Sequence, residues 1–114
     1  MNTPDQFRVA SPRFVGEQDG PPERELKGRL CLLFGGEKGV YRAYLARVAY
    51  GDATSYSVAL CIRAESATDI GLSEKAGKIF ASAFATREHL DIIFITETQE
   101  SELLCRCRPF FSVL

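Results

Sequence analysis

Apolar residues recur along this chain with two different periods. Leu26, Leu30, Leu33 and Phe34 fall at i, i+4, i+7 and i+8, which places them on one stripe of a helix. Pro21 and Pro22 stand where a helix start has amide hydrogens to spare, and Gly35 and Gly36 where its end favours glycine, so the pattern predicts a helix over residues 23–35. A second stripe of Leu72, Ala76, Ile79, Phe80, Ala83 and Phe84 predicts a helix over 68–84, with Ser66 as its cap and Asp69 in its first turn. Between these helices the period drops to two. "VYRAYLARVAY" (40–50) and "SYSVALCIRA" (55–64) are rich in β-branched and aromatic residues and flank the turn-forming "GDAT", which predicts an antiparallel hairpin. Alternation along the second strand sets Tyr56, Val58, Leu60 and Ile62 on the face expected to meet the helices. Ser57, Ala59, Cys61 and Arg63 take the other face.

"LDIIFIT" (90–96) is a nearly continuous apolar run of strand length, the mark of a strand covered on both faces. After it, "QESELLCRC" predicts a short helix that stops before Pro109, since the residue ahead of a proline avoids helical geometry. At the other end, residues 1–20 are expected to be the loosest part, with Phe7 and Val9 marking a short strand near 6–10. The order strand, helix, strand, strand, helix, strand predicts an α+β fold, a ferredoxin-like βαββαβ sandwich with two helices on one face of an antiparallel sheet and a short C-terminal helix added. The last strand of that fold is an edge. An apolar edge invites aggregation, so the C-terminal segment or a second subunit is expected to cover residues 90–95.

The 114 residues suit one domain, and 46% apolar with 25% charged residues is ordinary globular usage. Fourteen Lys and Arg oppose fifteen Asp and Glu, so no net field draws the chain to nucleic acid or an anionic membrane, and neither is expected as a partner. No basic start with an apolar run resembles a signal peptide, and no stretch approaches the roughly 18 apolar residues of a membrane helix. A cytoplasmic setting is therefore expected. There Cys31, Cys61, Cys105 and Cys107 would be thiols.

Candidate chemistry is sparse. Cys105 and Cys107 form Cys-x-Cys, which on a helix aims the two sulfurs about 200° apart, so packing is favoured over a metal or redox site. His89 is the single histidine and sits two residues from Asp91, but no nucleophile elbow accompanies it. "FGGEKGVY" follows a helix instead of opening one, so it reads as a turn and not a phosphate loop. Glu97, Glu100 and Glu102 read as solvated acids around a helix start. No catalytic residue, metal site or cofactor is assigned.

The segments "GVYRAYLARVAY", "YSVALCIRA", the helix at 68–84, "LDIIFIT" and the ending "RCRPFF" resemble the C-terminal domain of the SseB family, bacterial proteins named for enhanced serine sensitivity. "AYLA" (43–46) and the Pro109–Phe111 tail are the most telling pieces. The resemblance implies a cytoplasmic bacterial domain with a named phenotype, no established reaction and no catalytic residue; longer members carry a related N-terminal domain. Two functional expectations follow. The first is a non-enzymatic interaction or regulatory domain that binds a protein partner or itself through an open sheet face, with Arg42, Tyr44, Tyr50, Phe110 and Phe111 as interface residues. The alternative is a small thiol-dependent enzyme or a redox or metal-binding module built on Cys105, Cys107 and His89.

Overall fold

A computed structural model describes residues 12–50, 56–66, 69–84 and 90–113. The elements in chain order are β1 (Pro12–Glu17), α1 (Pro21–Gly35), β2 (Val40–Tyr50), β3 (Ser57–Ala64), α2 (Ile70–Ala83), β4 (Leu90–Phe94), α3 (Glu97–Leu104) and β5 (Phe111–Ser112). The expected strand near 6–10 and the "GDAT" turn lie outside the described residues. Part of the segment expected to be loose is instead β1, which pairs with β2 through a bulge between Phe14 and Gly16.

Each predicted helix forms about where its apolar stripe lies. Pro21 and Pro22 occupy the first turn of α1, and Gly20 before them takes φ +149°. Leu26, Leu30 and Phe34 face inward and are buried. Gly39, at φ +87°, makes the positive-φ turn that delivers the chain into β2, where its carbonyl accepts from the Glu65 amide at 2.7 Å. Asp69, not Ser66, caps α2: its carboxylate accepts from the Leu72 amide at 3.0 Å. A reciprocal capping box starts α3, with Thr96 Oγ1 accepting from the Gln99 amide and Gln99 Oε1 from the Thr96 amide.

The five strands form one mixed sheet ordered β1-β2-β3-β4. β1, β2 and β3 are successively antiparallel, and β4 joins β3 in parallel after the α2 crossover. β5 returns to β2, pairing at Arg42 and Ala43 beyond the end of β1. The α+β class and the chain order βαββαβ are present, but the ferredoxin-like arrangement is not the one found. In a split βαβ unit the two strands flanking a helix run parallel with another strand between them, whereas β1 and β2 flank α1 as adjacent antiparallel neighbours.

Both faces of the sheet are covered. α1 and α2 lie on one face, burying Leu26, Leu30, Phe34, Leu72 and Ala76 against Ala43, Leu45, Leu60 and Ile62. On the other face α3 and the residues after it bring Leu103 and Cys107 onto Tyr44, Ala46, Val48, Ala59 and Cys61, with Phe14 from β1. The alternation read along residues 58–62 holds. Tyr56, one residue before β3, is exposed, and its ring lies 5.4 Å from the Arg47 guanidinium.

Candidate functional site

The most concentrated polar chemistry lies between β2, β3 and α3. Arg42 and Tyr44 sit two apart on β2 and so point to the same face, and Arg63 on β3 is the cross-strand partner of Arg42. Two like charges directly opposite on a sheet repel. Glu100, carried in on the first turn of α3 and only 4% exposed, neutralises them. Arg42 grips it with two bonds, Nε to Oε2 at 2.6 Å and Nη2 to Oε1 at 3.0 Å, and the Tyr44 hydroxyl donates to Oε2 at 2.6 Å. Arg63 Nε stands 3.3 Å from Oε1, near enough for charge attraction but not aligned for a hydrogen bond.

This geometry fixes protonation states that suit fastening, not proton transfer. The Arg42 bonds, opposed by burial and aided by Tyr44, hold the Glu100 carboxyl below its ordinary value, so it is an anion at neutral pH and a poor base. Burial, then the bond to Glu100, pushes the Tyr44 phenol well above its ordinary value. The cluster ties α3 to the sheet.

The Cys105 and Cys107 side chains do not converge; Cys107 instead shares the α3-side core with Cys61. Cys105 is exposed at the end of α3, whereas Cys107 is buried and its Sγ donates weakly to the Leu45 carbonyl at 3.6 Å. Burial raises Cys107 to about 11 and Cys61 to about 12, so both are protonated at neutral pH and are poor nucleophiles. Cys31 donates to the Phe110 carbonyl at 3.3 Å and burial raises its pKa. His89 lies outside the described residues. Among the described residues no three His, Cys, Asp or Glu side chains gather as metal ligands. A thiol-specific reagent at neutral pH is therefore expected to label Cys105 quickly and Cys31 more slowly, with Cys61 and Cys107 reacting only on unfolding. Fast native labelling at Cys107 would contradict this packing.

The expected interface residues are divided between the two faces. Tyr44 is fully buried, and Arg42 is engaged by Glu100, so neither lines an open face. Tyr50 packs at the edge of the α3-side core and donates to Asp91 Oδ2 at 3.0 Å; burial, then that carboxylate, raises its pKa to about 12. Phe110 and Phe111 lie on the opposite side of the sheet, their ring centroids 6.2 and 5.6 Å from that of Phe34. Glu100 is the residue that the sequence reading discounted as a solvated acid. Arg63 was the signal for it, because an arginine sharing a face with Ala59 and Cys61 needs a counter-charge once that face is covered.

The sheet has two contrasting edges. β1 carries Pro12 and a bulge, devices that blunt an edge. β4 carries neither: it is LDIIF, without proline, lysine or register shift, and its outer side pairs with no described strand. The C-terminal segment does not cover it, since α3 lies on the sheet face and β5 returns to β2.

No described helix is long and apolar enough to cross a membrane. No curated protein and no solved structure matches the chain. Residues 15–112, a span running from within β1 to the end of β5, match the family model of the SseB protein C-terminal domain, and the chain belongs to that family.

Proposed function

We propose that this domain acts without catalysis, as a protein-interaction or regulatory module of the bacterial cytoplasm, and that it engages its partner through the open backbone edge of β4. The observation that carries this reading is the largely apolar edge strand Leu90–Phe94, whose outer side pairs with no described strand and whose neighbouring sheet faces are already occupied by helices. An exposed edge offers main-chain donors and acceptors for strand addition, with alternate side chains supplying selectivity. The state of the polar groups agrees with a non-catalytic role. Glu100 is held as a bonded anion, Tyr44 is held neutral, and Cys61 and Cys107 are buried thiols.

The test is capture of binding proteins from a bacterial lysate on the immobilised chain, combined with gel filtration, for the wild type and for Ile92→Pro. The Ile92 amide points away from β3, so proline there removes an outward donor without breaking a sheet bond. Binding or self-association that is lost in the variant supports the reading. A wild-type chain that is monomeric and partnerless, or binding indifferent to Ile92→Pro, overturns it.

A further inference from the structure

Resting on that reading, we propose that the occupant of the β4 edge is a second copy of the same chain, paired antiparallel about a twofold axis through Ile92. The Ile95 amide donates to the Ile62 carbonyl at 2.9 Å. Alternate residues of a parallel strand bond to the same side, so with Leu60 opposite Ile92 and Ile62 opposite Phe94, residues 91, 93 and 95 face β3. The N–H and C=O groups of Leu90, Ile92 and Phe94 therefore face outward.

That arrangement is self-complementary. A twofold placed at Ile92 makes it a hydrogen-bonded pair with Ile92 of the other copy and sets each Leu90 opposite Phe94 of the other copy, so the three outward residues of each strand exchange about six hydrogen bonds. The facing side chains match as well. Leu90, Ile92 and Phe94 project toward the α1 and α2 side, where each is only partly buried, and would meet Phe94, Ile92 and Leu90 of the second copy. On the other face Asp91 opposes Ile93, so no like charges meet. With a net charge of −1 per chain, no strong field keeps two copies apart. The product is one continuous sheet through both copies in which the least protected edge disappears.

The experiment is light scattering with the full chain over a wide concentration range, together with amide hydrogen exchange at high and low concentration. The expected result is a dimer. The Ile92 and Phe94 amides should be protected when concentrated and lose protection on dilution, while the Ile93 amide, which faces β3, stays protected throughout. Ile92→Pro should raise the dimer dissociation constant by at least about thirtyfold, for two net hydrogen bonds lost, one from each copy. The exchange pattern of the wild type stands as evidence even if that variant folds poorly. A monomer at all concentrations with fast-exchanging Ile92 and Phe94 amides overturns the self-pairing. If such a monomer still captures another protein through an edge sensitive to Ile92→Pro, the interaction reading survives and only the second copy is refuted. A dimer in which those amides remain unprotected also overturns the proposal, because the copies would then meet elsewhere.

Discussion

Glu100→Ala is expected to destabilise the fold by about 2–4 kcal/mol, because it leaves two facing arginines and a tyrosine hydroxyl without the anion they share. Removing one partner of a fully buried ion pair costs about 3–5 kcal/mol. Arg42 and Arg63 each keep about a quarter of their side-chain surface in water (25% and 23% exposed), so water recovers part of that cost. The measurement is the urea midpoint, with exchange of the Cys107 amide, bonded to the Leu103 carbonyl, as a probe of α3 itself. Loss of under about 0.5 kcal/mol would place Glu100 among surface acids, where measured pairs contribute about that little.

Acid should reproduce the defect. The Glu100 carboxyl is lowered from 4.5 in the folded chain, so the unfolded chain binds its proton first. The stabilisation is then fully present above the unfolded value and is lost as pH falls through the lower folded value. The stability gap between wild type and Glu100→Gln should be flat between about pH 6 and 8 and close only below about pH 4. A gap that instead closes between pH 6 and 8 would require another titrating group.

The same residue shows how legible this chain is. Stripes at helical spacing located α1 and α2 to within a few residues, because burial of Leu26, Leu30 and Phe34, or of Leu72 and Ala76, needs that period whatever lies opposite. Alternation in residues 58–62 likewise assigned faces correctly. The antiparallel pairing of β2 with β3 was legible, but the other strand neighbours were not. The chain order βαββαβ is compatible with several sheet orders, and the choice rests on which edges close over the helices, information spread over the whole fold. Nor was it visible that α3 would fold under the sheet and bury Tyr44. The short helix was read from "QESELLCRC" without its Thr96–Gln99 capping box, and even that cap says where a helix begins and not what it covers. The five expected interface residues scattered for that reason. Tyr44 and Arg42 were assigned to an open face that α3 occupies, and Phe110 and Phe111 belong to the opposite layer.

Phe34→Ala is expected to have the largest effect of any single core truncation on that opposite layer, about 3–5 kcal/mol. Phe34 ends the buried stripe of α1 with 1% of its surface exposed, and its ring meets Phe111 edge-on and Phe110 at a tilt. The tail is also tied to the sheet, where Phe111 and Ser112 pair with Ala43 and Arg42 of β2. Two backbone bonds flank its two-residue strand, Phe110 amide to Ala43 carbonyl at 2.9 Å and Val113 amide to Tyr41 carbonyl at 3.0 Å, and Cys31 adds a thiol bond to Phe110. Removing the ring opens a cavity and loosens the tail together. Exchange at the Phe110 and Val113 amides should rise more than global stability alone requires, while the Ile95 amide, bonded inside the sheet, should rise only in proportion to the global loss. Phe111→Ala, at a partly exposed position, should cost less, and a Phe34–Phe111 double-mutant cycle should return a coupling of about 0.5–1.5 kcal/mol. A Phe34→Ala protein whose tail amides and Ile95 amide lose protection equally would mean that β5 is held by the sheet bonds and not by the aromatic cluster, and the tail would then be an extension of β2 instead of the lid on α1.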